Sequence, residues 1–404
     1  MFKGGRQTIP EGREGLTLSG LPPPNRLRRS HETWTLQLKS CYPCRRGFVQ
    51  ESMLKERGAQ VAVVAEISVI VPVHEMSRDF SRCLAAIGRL SPPPREVIVV
   101  VDGGSAAAMD TARAAGVAVK QTPTCLGPAA ARNLGAQEAE GEILFFVDAD
   151  VVVGEDAILR LRTIFDAPDA PDAVIGVYDD TPPASNFLSQ YKNLLQHFVH
   201  VTADEQLPTF WGACGAVRKA AFLSVGGFDE RYDKPSIEDI ELGYRLRDNG
   251  FTIRISKALQ VTHLKRWSPK KLFVSDFFRR ALPWSRLILS AGRMDDVLNI
   301  RKTERLKVAL TYFLLMQLVS TPLYPLCGLS AAATAVLLCV ADTKLLRFYY
   351  RKRGLVFAGR ALLWHWFYYI YSGFAFGLTM LAHGFGRVPS RTKKGWPPGW
   401  NRVL

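Results

Sequence analysis

Three short acidic segments, far apart in the chain, have the residue types and spacing for chemistry on an anionic substrate. Phe146-Val147-Asp148-Ala149-Asp150 ends a hydrophobic run with carboxylates at i and i+2. Leaving a strand for a loop, such a pair can share a hard divalent cation, Mg2+ or Mn2+, and the ribose or diphosphate of a sugar nucleotide. Taken alone it also fits a solvated turn, because Asp is common where strands end. Asp102 closes a second apolar run, Val99 to Val101, and Gly103, Gly104 and Ser105 follow it. Glycines there permit a tight turn and close backbone approach to a ligand. Glu238, Asp239 and Glu241 open a helix after Pro235-Ser236. Ser236 as an N-cap, with acids favouring the helix dipole, is one reading. A carboxylate aimed into a crevice, removing a proton from an acceptor hydroxyl, is the other.

The elements that must position these groups are legible from hydropathy. Ile67–Val73 is a continuous β-branched run, as expected of a strand buried on both faces of a parallel sheet. Helical spacing over 79–90 precedes a second buried strand at 97–101. A helix at 106–115, a strand at 117–120, a helix from Pro128 to about Glu140 and a strand at 143–147 follow. This alternation predicts an α/β doubly wound, mostly parallel sheet, with ligands at the carboxyl ends of the strands. Asp102, Asp148 and Asp150 all fall on that edge.

Together these segments resemble glycosyltransferase family 2, the inverting enzymes of the GT-A fold, over about residues 66–290. ISVIVPV looks like the family's opening strand, and the resemblance assigns Pro72, Val73 and Glu75 at its end to the donor. VVVDGGS resembles the usual VVDDGS with Gly103 in place of the second Asp. Asp102 then stands where the family contacts the nucleotide base, which favours a uridine-type donor. Gly127 to Gly135 is similar to the G-x-x-x-ARNxG helix, whose Arg, here Arg132, lies near the donor. FVDAD is similar to the family's DxD, implying Asp150 as direct metal ligand and Asp148 as a ribose contact or further metal contact. Glu238-Asp239 matches the ED motif, with Asp239 as base. Gly212, Cys214 and Gly215 look like the acceptor side. His263 resembles a histidine that approaches the metal or diphosphate; a partly buried histidine without a role is the plain alternative. Arg279, Arg280 and Trp284 are similar to, without matching, the QxxRW of processive synthases, and the missing Gln favours transfer of a single sugar. Their plain alternative is an interfacial amphipathic helix with Leu272, Phe273, Phe277 and Trp284 on lipid.

Charge separates the regions. The chain carries +15 overall, divided as +6 over residues 1–60, −10 over 61–256 and +19 over 257–404. An acidic folded middle excludes a nucleic-acid reader, and basic flanks interleaved with apolar runs favour anionic lipid headgroups. The seven cysteines are odd in number and scattered, fitting a reducing compartment. Cys41 and Cys44 form a lone CxxC with little to support a zinc site.

Residues 1–60 read as a largely disordered leader, with Met53 a possible alternative start. The glycosyltransferase domain is expected at 65–265 and amphipathic helices at 266–305. Two to three transmembrane helices are expected over 306–383, at about 306–323, 326–341 and 361–383, and a basic tail at 384–404. Only Lys307 is charged over 306–341, and Pro322 and Pro325 break the run. The basic stretch at 344–360 reads as a cytoplasmic loop, which puts the catalytic domain on that side, at the inner membrane in a bacterium. A lipid or lipid-linked acceptor is expected. The rival readings are a nucleotidyltransferase, whose usual Gly-rich, Lys-containing loop is replaced in this chain by Pro72 to Met76, and a non-catalytic membrane scaffold.

Overall fold

The computed structural model describes residues 65–385. The expected leader, the CxxC and nearly all of the basic tail lie outside these residues. The first half alternates as expected: β1 (Ile67–Val73), α1 (Arg78–Ile87), β2 (Glu96–Val101), α2 (Ala106–Ala114), β3 (Ala118–Gln121), α3 (Pro128–Glu138) and β4 (Ile143–Val147). Local chemistry starts the helices: Ser77 accepts from the Phe80 amide at the head of α1, and Pro128 sits in the first turn of α3. Then come β5 (Val151–Val153), α4 (Ala157–Phe165), β6 (Ala173–Tyr178), α5 (Phe187–Val201), β7 (Cys214–Arg218), α6 (Lys219–Ser224), α7 (Glu238–Asp248) and β8 (Ile253–His263).

These strands form one eight-stranded sheet in the order β3-β2-β1-β4-β7-β6-β8-β5. From β3 to β4 it is parallel. Beyond β4 the sheet is mixed, since β7 runs antiparallel to both β4 and β6 and β5 antiparallel to β8, while β6 and β8 pair in parallel and keep the sheet mostly parallel as expected. The reversal has a positional consequence. Val147 pairs with Cys214, so residues just before β7 arrive beside Asp148, where the Asp148 amide donates to the Ala213 carbonyl. The core lies on both faces of the central strands, where Ile67, Val69, Phe145 and Phe146 are fully buried.

After β8 come α8 (Pro269–Asp276), a π-helical turn (Phe277–Ala281) and α9 (Leu282–Ala291). The lipid-facing reading of this segment is overturned. Leu272 is buried with Leu188, Tyr191 and Tyr349, Phe277 packs with Tyr371 and Ala375, and Trp284 packs against Tyr232, Ile237 and Tyr244. The helices before and after it cover that face, and only neighbouring Phe278 points outward.

Three helices end the described chain: α10 (Lys302–Ser320), α11 (Leu326–Ala341) and α12 (Thr343–Gly384), the last kinked at Gly354. Among the described residues no single helix is long and apolar enough to cross a membrane, although α11 and α12, bent by 66°, pass that test together. The basic stretch expected as a loop at 344–360 is helical on both sides of Gly354. Two of its charges find partners on the acidic domain: Lys352 pairs with Asp180, and Arg353 bonds the Gln190 side chain at 2.7 Å. At the base of the α10–α11 hairpin Lys307 pairs with Asp342 at 2.9 Å and Glu304 at 2.6 Å, whereas the tip exposes Val319 (78%), Leu323 (78%) and Leu326 (82%).

Helix α3 lies close on the sheet at Gly135, where an added Cβ would stand 2.5 Å from Ile70 Cγ2 and 3.2 Å from Val100 Cγ2. The Gly135→Leu variant is expected to lose about 1–3 kcal/mol of stability through overpacking, read as a lower denaturant midpoint.

Candidate active site

At the carboxyl ends of β1, β2 and β4 lies a cavity of about 600 Å³ whose walls include Asp102, Asp148, Asp150, Glu238, Asp239 and His263. Five acidic positions that hydropathy placed only at separate element ends therefore share one cleft. Pro72, Val73, Glu75, Arg132, Arg279 and Arg280 line it as well.

Arg132 joins its two halves. The buried guanidinium donates to Asp148 Oδ1 at 2.7 Å and to Glu238 Oε1 at 3.1 Å. Burial alone would lower its pKa, but Asp148 and Glu238 outweigh that and hold it charged. Glu238 also accepts the Ser236 amide at 2.8 Å, so both its oxygens are occupied within the protein. It is the counter-ion of Arg132, whereas the adjacent Asp239 has backbone amides for partners and is the carboxylate proposed below for chemistry.

Asp239 accepts the Gly212 amide through Oδ2 at 3.1 Å and the Ile240 amide through Oδ1 at 2.8 Å. Desolvation, with the neighbouring Glu238 charge, pushes its pKa up to about 6. Ser236 does not cap the helix, since its hydroxyl donates to the Arg279 carbonyl at 2.8 Å and Ile237 holds the cap position. The N-cap reading of Ser236 is corrected accordingly.

Asp150 and His263 meet through sheet register. Val151 pairs with His263, which brings the ring's Nε2 to 3.6 Å from Asp150 Oδ2; Lys265 Nζ lies 3.9 Å from the same oxygen. Burial would raise the Asp150 pKa, but His263 and Lys265 outweigh it and hold it down at about 2. The His263 ring stacks on Tyr178 at 4.4 Å, and Tyr178 meets Trp211 edge-on at 4.6 Å. Asp150, the second oxygen of Asp148 and the His263 imidazole are oxygen and nitrogen donors of the kind that Mg2+ or Mn2+ takes.

Asp102 is buried, and its carboxylate accepts the Thr122 hydroxyl and the Leu126 and Gly127 amides, each at 2.8 Å. It fastens the loop that leads into α3. On the acceptor side, Gly212 reaches the site through its amide, but Cys214 and Gly215 do not. Both are buried inside β7, since pairing with Val147 and Phe146 turns them into the sheet. Trp284 lies away from the cleft and lines a second cavity of about 390 Å³ between the domain and the C-terminal helices. Arg280 and Lys192 line both cavities.

Lys192, Asn193 and Gln196 on α5, and Tyr178, also line the cleft and escaped sequence reasoning; Trp211, which opens the segment read as the acceptor side, lines it too. Tyr178 ends a buried strand before Asp179 and Asp180, and the strand-end argument that found Asp102 could have found it. The α5 residues sit in a mixed helix with no local cue.

Residues 68–226 match the family model described as glycosyl transferase family 2. Over those residues the chain is similar to the family 2 glycosyl transferases. It is 27% identical over 229 residues to a validoxylamine A glucosyltransferase of Streptomyces hygroscopicus subsp. limoneus, covering 47% of this chain and 50% of that protein. It is 28% identical over 222 residues to a pre-mycofactocin glycosyltransferase of Mycobacterium tuberculosis, covering 52% and 46%. The chain spans about half the length of these curated relatives. Among solved structures, the mannosyltransferase PcManGT of Pyrobaculum calidifontis, in complex with GDP-Man and Mn2+, is 18% identical with a TM-score of 0.49 over 81% of this chain and 94% of that one. TarS of S. aureus with UDP-GlcNAc is 21% identical with a TM-score of 0.41, covering 55% and 65%.

Within the cleft, removing the Arg132 charge strands two carboxylates. The Arg132→Met variant is expected to lose about 3 kcal/mol, the low end for a broken buried pair because Asp148 stays partly open to water. Adding Glu238→Gln should restore part of that loss in denaturant titrations.

Proposed function

We propose that the protein moves one sugar from a nucleoside-diphosphate donor, of uridine type, to an acceptor hydroxyl with inversion at the anomeric carbon. The observation that carries this reading is the placement of Asp239, a carboxylate with its pKa raised to about 6, in the same cleft as Asp148 and Asp150. A base poised near neutral pH can take the acceptor's proton as its oxygen attacks. The bond from the anomeric carbon to the diphosphate breaks in the same step, and the nucleoside diphosphate leaves with the electron pair. A single displacement of this kind inverts the configuration.

Gly212 holds Asp239 by its amide, and Arg132 holds Asp148 against Glu238, keeping the acceptor-side and donor-side carboxylates in fixed relation. Asp150, Asp148 and His263 would hold a divalent cation; when bound, it offsets charge on the departing diphosphate. Arg279 and Arg280 supply further positive charge at the wall.

The acceptor is proposed to be lipid-linked, with its apolar part in the second cavity and Lys192 and Arg280 at the junction. The exposed apolar tip of the α10–α11 hairpin, 318–329, supports a membrane-associated protein with the tip in the bilayer. The basic face of 344–360 supports a cytoplasmic catalytic domain, at the inner membrane in a bacterium.

With a panel of uridine diphosphate sugars, Asp239→Asn is expected to lower kcat about 10²–10⁴-fold while donor binding persists. In the wild type, kcat/KM should fall as pH drops through about 6, because protonated Asp239 no longer accepts a proton. Transfer by Asp239→Asn at the wild-type rate overturns the base assignment. Asp150→Ala should abolish the Mn2+ dependence of donor binding in calorimetry, and retention of that dependence moves the cation elsewhere.

A further inference from the structure

We propose that His74, Asp102 and Cys125 form a second cation site, for a borderline-soft divalent ion such as Zn2+, at the Asp102 end of the cleft. The three come from the ends of β1 and β2 and from the loop into α3, and all line the cavity. Their ligand atoms lie within 4.8 Å of one another. Cys125 Sγ stands 3.6 Å from Asp102 Oδ2 and 3.7 Å from His74 Nδ1. A tetrahedral ion with bonds of about 2.3 Å to sulfur and about 2.0 Å to nitrogen or oxygen separates its ligand atoms by roughly 3.5 Å. The side chains thus already hold near-tetrahedral edges around the sulfur.

Two neighbours favour the arrangement. Gly103, at φ +87°, carries no side chain, and a Cβ there would come within 3.1 Å of Cys125 Cβ. The same glycine that departs from the family's VVDDGS therefore admits the thiol beside Asp102. His74 Nδ1 now donates to the Asp102 carbonyl at 2.8 Å, and Nε2 lies 3.8 Å from Glu75 Oε1. Ligation through Nδ1 gives up that hydrogen bond and moves the ring proton to Nε2, facing Glu75, the carboxylate–imidazole arrangement that orients a metal-bound histidine. His74 and Cys125 are exposed to the cleft, so an ion enters from solvent, and three protein ligands leave a fourth position open. The sulfur distinguishes this donor set from that of Asp148, Asp150 and His263, so a softer ion selects it. An occupant here fills the end of the cleft where the nucleotide is proposed to sit. The resulting competition with the donor rests on that reading; the cation site does not.

The test uses the full chain with Cys41→Ser and Cys44→Ser, which removes the other thiol pair. Titration with Co2+ is expected to produce a thiolate-to-metal charge-transfer band at one equivalent, displaced by Zn2+. Cys125→Ser should lose the band with an affinity drop of about 100-fold or more, and Asp150→Ala should keep it. Absence of the band, or its survival in Cys125→Ser, overturns the site. Saturating Zn2+ is expected to weaken calorimetric binding of uridine diphosphate in this background and not with Cys125→Ser added, and undiminished binding overturns the competition. If uridine diphosphate binds with neither ion state, the donor reading falls and the cobalt band still decides the site.

Discussion

One buried guanidinium holds the site together. Arg132 reaches Asp148 at the end of β4 and Glu238 at the start of α7, so an ion-paired bridge ties those two elements together. Without that charge, two acids and the desolvated Asp239 would repel one another across the cleft. The bridge also sorts the acids. Glu238 and one oxygen of Asp148 are consumed by structure, which leaves Asp239, Asp150 and the other Asp148 oxygen for substrate and cation.

The opposite pKa directions of Asp239 and Asp150 follow from what each faces. Asp239 has two backbone amides and a neighbouring carboxylate, so desolvation prevails and it rises. Asp150 has an imidazole and an ammonium within 4 Å, so the cations prevail and it falls. A base and a cation ligand need those two states. The division comes from β8: its pairing with β5 carries His263 and Lys265 to Asp150 and to no other acid of the cleft.

The C-terminal helices continue the logic of charge. The acidic domain takes up basic residues that hydropathy assigned to a free loop, through Lys352 on Asp180 and Arg353 on Gln190. What remains apolar and exposed gathers at a hairpin tip, while the charged Lys307, Glu304 and Asp342 gather at its base. Leu272, Phe277 and Trp284 read as a lipid-facing stripe only while their partners were unknown; α5, α7 and α12 turned that stripe inward.

The amino-acid sequence by itself determined the first seven elements and the acids at their ends. A buried parallel strand and the turn that closes it are written in windows of a few residues, as in Val99–Gly104 and Phe145–Asp150. It could not say that Cys214 and Gly215 face into the sheet, that Asp102 fastens its own loop, or that Lys192 and Tyr178 complete the wall. Those outcomes hang on strand order and register, which pair residues a hundred positions apart. Local periodicity carries no information about which distant strand arrives, or from which end, and only the assembled sheet decided it.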